Sequence, residues 1–171
     1  MSKKAILGIA KSAAQVENTV ADLQRNAFVS SEDISVLIPD SGATPELGTV
    51  KATKAPEGAT TGAVTGGVLG GTVGLLAGIG TLAIPGLGAF IAAGPLLAAL
   101  SGAAAGAATG GVVGALIGLG IPEYEAKAYE DRLKAGGYLV AVHVENNDRA
   151  KEIREVLKRN NLEDISTVAE K

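Results

Sequence analysis

No cysteine and no tryptophan occur in this chain, histidine and methionine occur once each, and the only aromatic residues are Phe28, Phe90, Tyr124, Tyr129 and Tyr138. Without cysteine there is no disulfide framework and no thiolate chemistry, which fits a reducing compartment. Five scattered aromatics form no base-stacking platform, and a formal net charge of −3 gives no basic footprint, so nucleic acid is not an expected partner. The single histidine, His143, has no second imidazole or thiol to complete a metal site, and a nucleophile–histidine pair would have to use it alone. It alternates with Ala141 and Glu145, which reads as a half-exposed position on a strand. None of the glycine runs continues into Lys-Ser or Lys-Thr, and no Gly-x-Gly-x-x-Gly follows a strand, so nucleotide is not expected either. The paired acids Glu32-Asp33 and Glu163-Asp164 read as equivalent loop-to-strand junctions rather than a divalent-ion site. The sequence thus predicts no catalytic, cofactor-binding or metal-binding residue, no cofactor and no enzymatic activity.

Charge is missing from one long stretch. From Gly58 to Pro122, 65 residues carry no Lys, Arg, Asp or Glu, although the chain has 15 basic and 18 acidic residues outside it. Inside the stretch glycine recurs at every fourth position, first as Gly58, Gly62, Gly66, Gly70, Gly74 and Gly78, then as Gly102, Gly106, Gly110, Gly114 and Gly118. At 3.6 residues per turn this spacing sets each series on one slowly drifting stripe, where another backbone can approach closely. These eleven glycines are the candidate oligomer-packing residues.

The charged flanks resemble each other. Met1 to Ala10 opens like a signal peptide, but the apolar run is short and Lys11 interrupts it, so it reads as a strand. Ala13, Val16, Val20, Leu23 and Ala27 then share a helix face, and Glu32 to Ile38 forms a second strand ending at Pro39-Asp40-Ser41-Gly42. The far flank repeats the order: strand Tyr138 to Val144, helix face Ala150, Ile153 and Leu157, strand Glu163 to Val168. Glu-Asp-Ile-Ser appears in both, and Gln24-Arg25-Asn26 and Lys158-Arg159-Asn160 occupy equivalent helix ends. Two βαβ units set side by side predict an α+β, ferredoxin-like domain of four strands with helices on one face. Its predicted extent is 1–57 and 122–171, with a glycine-zipper helical hairpin inserted at 58–121. A helix after Pro122 carries Glu123–Lys127 and Glu130–Lys134 at ion-pair spacing and stops at Gly136-Gly137.

The hairpin limbs, about Gly62 to Ile84 and Leu96 to Ile121, would extend ~34 and ~39 Å as helices, against ~30 Å of bilayer hydrocarbon. Breaks fall at Pro85-Gly86-Leu87-Gly88 and Gly94-Pro95. Eight glycines between Gly62 and Gly80 oppose helix formation in water by about 6–8 kcal/mol, so the first limb needs a bilayer or close packing to be helical. The absence of charge favours the bilayer; the dominance of Gly, Ala and Thr opposes it. Lys51, Lys54 and Lys127 near the limb ends would leave both termini in the cytoplasm.

Ser31-Glu32-Asp33-Ile34-Ser35-Val36-Leu37, the glycine-rich stretch, Gly120-Ile121-Pro122-Glu123-Tyr124-Glu125-Ala126-Lys127, and Gly136 through His143 together resemble a group of small bacterial general stress or low-temperature-induced proteins, often given a membrane hairpin. The resemblance covers nearly the whole chain and implies a bacterial, non-enzymatic, stress-associated protein, with no catalytic residue to carry over. The function expected is self-assembly driven by the zipper hairpin in or on the inner membrane, the partners being other copies of the chain and the lipid bilayer. The alternatives are a cytoplasmic ring, tube or shell with the hairpins inside, and a ligand-sensing ferredoxin-like module.

Overall fold

The computed structural model describes residues 4–39, 79–84, 88–94, 111–118 and 120–169. Strand β1 (Lys4–Ala10) is buried from Ala5 onward without alternation, as a strand covered on both faces must be. Helix α1 (Ala13–Arg25) starts where the Ser12 side chain accepts the Gln15 N–H at 3.2 Å, and it buries Val16, Thr19, Val20 and Leu23. A short turn at Ser31–Asp33 leads into β2 (Ile34–Pro39). From the uncharged stretch come β3 (Ile79–Ile84), β4 (Gly88–Ala93) and α2 (Gly111–Gly118). Helix α3 (Glu123–Lys134), β5 (Tyr138–Val144), α4 (Asn147–Arg159, capped by the Asn146 side chain on Arg149 N–H) and β6 (Glu163–Ala169) complete the order.

All strand pairs are antiparallel, in the order β3-β4-β2-β5-β1-β6. Ile6 faces Val142 across β1–β5, Leu37 faces Leu139 across β2–β5, and Ile38 faces Ile91 across β2–β4. Alternate residues feed two cores. On one face Ile6, Ile34, Val36, Val140 and Val142 meet Val16, Val20 and Leu23 of α1 and Ile153 and Leu157 of α4. On the other, Leu7, Leu37, Phe90, Leu139 and Ala141 meet Val112 and Leu116 of α2 and Ala126, Tyr129 and Leu133 of α3. Each fully buried Leu, Ile or Phe contributes about 1.5–3 kcal/mol, so both faces are held by area.

The flank strands and helices fall where the apolar periodicity puts them. Glu32 and Asp33 are the exception, since they sit in the turn before β2 rather than in it. The two βαβ units are not side by side. Strand β5 lies between β1 and β2, and β1 lies between β5 and β6, so the units interleave and every neighbour is antiparallel. Helices cover both faces, not one, and with β3 and β4 added the six-strand order is not that of a four-stranded ferredoxin-like sheet.

The predicted helical limb from Gly62 to Ile84 is overturned at its end: residues 79–84 and 88–93 form a β-hairpin on the open edge of β2. An apolar run with no polar face carries no period to separate helix from strand, and the exposed backbone groups of β2 favour a strand beside them. Among the described residues no helix is long and apolar enough to cross a membrane.

Candidate functional site

Helix α2 carries no charge and meets the core through Val112 and Leu116, with half-buried Val113 packed beside them. Val112 and Leu116, one turn apart, are buried against the sheet. Gly114 and Gly118 follow them by two residues each, about 200° around the helix, so the glycine line faces away from that core. A Cβ built at either glycine meets nothing within 4 Å among the described residues. Ile117, beside this line, is 43% exposed. The helix closes with Ile121 N–H donating to the Leu116 carbonyl at 3.0 Å, and buried Ile121 passes the chain to α3.

Helix α3 is clamped to β6, which fixes α2 in turn. The Tyr129 hydroxyl, on a side chain 2% exposed, donates to the Asp164 carbonyl at 2.5 Å and lies 2.7 Å from Ser166 Oγ. Burial pushes this phenol up to about 12. Arg132 Nε pairs with Asp164 at 2.8 Å and Lys11 with Glu163 at 2.5 Å; the Lys11 hydrogen bond holds the Glu163 carboxyl below its ordinary range. The register shift between β1 and β6 lies here, with Asp164 at a φ of 51°. The acids paired in sequence at Glu163-Asp164 are thus engaged with cations of β1–α1 and α3, which accounts for them structurally. On the outer face of α3, Glu123–Lys127 and Glu130–Lys134 form the ion pairs that their spacing predicts, each at 2.6 Å.

The sheet also joins two residues 108 positions apart. Ser35 Oγ on β2 lies 3.3 Å from His143 Nε2 on β5, within hydrogen-bond reach, with the imidazole tautomer deciding which of the two donates. Gly94, where β4 ends, closes over them: a Cβ there would lie 2.2 Å from the Ile34 carbonyl oxygen and 2.9 Å from Ser35 Oγ. Ser35 is fully buried, so no electrophile reaches Oγ while the strands stay paired, and the pair acts as a polar clasp between β2 and β5. His143 is half-buried, as its alternation predicts. Ser35 gave no signal in the sequence, where it reads as one polar residue within an apolar strand. No three His, Asp or Glu side chains converge as a metal site among the described residues.

No family model, curated protein or solved structure matches the chain. The functional reading therefore rests on the chain's own residues. Of the eleven packing glycines, Gly114 and Gly118 lie on α2. Gly58, Gly62, Gly66, Gly70, Gly74, Gly78, Gly102, Gly106 and Gly110 lie outside the described residues. Ile117, which the glycine spacing did not single out, joins the line as an exposed apolar side chain.

Proposed function

We propose that the protein is a non-enzymatic, self-associating scaffold in which glycine-striped helix faces pack copies together. The observation that carries this is the division of α2: Val112, Val113 and Leu116 pack on the protomer, while Ile117 and Gly118 are exposed and a Cβ at half-buried Gly114 or at Gly118 meets nothing within 4 Å among the described residues. Such a line lets a second backbone approach closely, and the same four-residue spacing recurs in the sequence at Gly58 to Gly78 and Gly102 to Gly110. The flanks form the rigid body that presents it. Their strands keep the order β2-β5-β1-β6, and this supports a ferredoxin-like core built by duplication and widened by β3 and β4. A role in bacterial stress response follows from the resemblance alone.

The uncharged run of 65 residues favours a second reading, in which the assembly sits on the inner face of a bacterial inner membrane with both termini cytoplasmic. A cytoplasmic ring, tube or shell is the form without lipid. The test is a Gly114→Leu, Gly118→Leu double variant of the full chain, its mass read by sedimentation. Among the described residues a Cβ at either position meets nothing within 4 Å, and replacing glycine raises helix propensity by up to about 0.8 kcal/mol at interior Gly114, which predicts a protomer at least as stable as the parent. Its assembly is lost because the groove is filled. Undiminished mass would contradict the proposal.

A further inference from the structure

Phe28 is the most exposed large apolar side chain among the described residues, at 83%, and its φ of 50° is left-handed. After α2, α3 and α4 the left-handed position is held by Gly120, Gly136 and Asn161, residue types that enter it at little cost. After α1 a phenylalanine holds it. The surrounding backbone is fixed: Val29 N–H donates to the Leu23 carbonyl at 3.0 Å, Arg149 Nη2 donates to the Ala27 carbonyl at 2.7 Å, and Ala27 and Val29 are buried on either side. The protomer therefore holds an aromatic ring in water, in a conformation that disfavours it. A contact outside the protomer is what such a ring serves.

The surroundings select the partner. Ile34 pairs with Val142 and Arg149 reaches Ala27, so the Ser31–Asp33 turn and the β5–α4 junction lie at one end of the sheet with Phe28. They bring Glu32, Asp33, Glu145 and Asp148 there, all exposed and with no ion pair among the described residues, against exposed Arg25 in the last turn of α1, Lys4, which reaches Asn147, and Arg149, which pairs with Glu152. Four carboxylates outside ion pairs against Arg25 and Lys4 leave this end with a net negative charge, which disfavours an anionic lipid surface and two copies meeting through the same patch. The chain carries a complementary face. On α4, Lys151 and Arg154 form no ion pair among the described residues, and Arg154 Nη1 lies 3.5 Å from Thr167 Oγ1 on β6, the strand that also carries half-buried Ile165.

We propose that Phe28 anchors a contact between copies, in which the acidic end of one protomer seats on the cationic α4–β6 margin of another. This rests on the self-association reading but uses a different surface from the glycine line. Sedimentation of full-length Phe28→Gly and of Lys151→Glu, Arg154→Glu tests it at low and high salt. Wild-type mass falls as salt rises, and each variant associates more weakly, on the order of tenfold or more. Phe28→Gly also melts higher than the parent, which separates lost contact from lost fold. An equimolar mixture of the two variants regains association, because each supplies the half that the other lacks. Wild-type mass in both variants, or no recovery on mixing, would overturn the proposal. Loss of assembly in Gly114→Leu, Gly118→Leu with none in Phe28→Gly overturns the Phe28 contact and leaves the scaffold reading standing; the reverse pattern overturns the glycine line and leaves Phe28.

Discussion

The two halves of the second core are built by different means. On the α3 side, contact with the sheet is directional: Tyr129 bonds to Asp164 and Ser166, and Arg132 pairs with Asp164. Helix α2 beside it has no charged residue, and among the described residues Val112, Val113 and Leu116 hold it by apolar contact. The flank helices of the first face are bonded directionally to each other, with Asp22 of α1 accepting from Asn26 at 2.6 Å and, at the end of α4, from Arg159 at 2.9 Å and Asn160 at 2.7 Å. Directional bonds fix one geometry, while area tolerates sliding and leaves a helix free to use its other face. The charged flanks thus carry the directional bonds, while the described part of the uncharged segment is joined to the sheet by strand pairing and apolar burial.

The largest effect that tests this contrast is a matched pair of core truncations. Leu23 on α1 and Leu116 on α2 are both fully buried. Integral packing of α2 predicts that Leu23→Ala and Leu116→Ala each cost about 2–5 kcal/mol in denaturant unfolding. A full cost at Leu23 with under ~1 kcal/mol at Leu116 would show that α2 detaches without the protomer.

Tyr129 gives the next effect. Its phenol titrates at about 12 when folded against an ordinary 10.0, so the folded chain holds this proton more tightly than the unfolded one. The contribution is complete below pH 10 and is lost as pH rises from 10 toward 12, by up to about 3 kcal/mol. Tyr129→Phe should flatten that part of the stability–pH curve, read by chemical unfolding at alkaline pH. An unchanged slope would remove the α3–β6 clamp.

The contrast in legibility has the same origin. Val16, Val20, Leu23 and Ala150, Ile153, Leu157 stand out because polar residues separate them, so their period is visible and all six are buried. Residues 79–93 have no such contrast: Ile79, Leu82, Ile84, Phe90 and Ile91 suit a helix or a strand, and only the open edge of β2 decides between them. Interleaving of the flank units was equally hidden, because it depends on which strand edges meet and not on any residue within a unit. The glycine line was legible as a spacing, but its direction was not. That direction follows from Val112 and Leu116, whose burial only the sheet defines. The exposure of Phe28 and the contact of Ser35 with His143 depend on tertiary placement, so neither could be read from the spacing of these residues.

Smaller changes sharpen the picture at the helix ends. Phe28→Gly relieves a left-handed phenylalanine and should stabilise the protomer by about 1–2 kcal/mol in thermal or denaturant unfolding; a loss of stability would mean the ring packs at home. At Asp22, burial pushes the carboxyl up, but hydrogen bonds from Asn26, Arg159 and Asn160 outweigh it and the pKa is lowered from 3.8. Its contribution is present above the unfolded pKa and is lost as pH falls below 3.8 through the folded value. Asp22→Asn should cost about 1 kcal/mol or less near neutrality and reduce the decline on the acid side.

The central claim, that the glycine-striped segment joins copies of the chain, is tested most directly by the mass of the purified full-length protein with and without detergent. A multimer without detergent that dissociates when Gly114 and Gly118 are replaced by Leu is the predicted result, whereas a stable monomer in both conditions would contradict it.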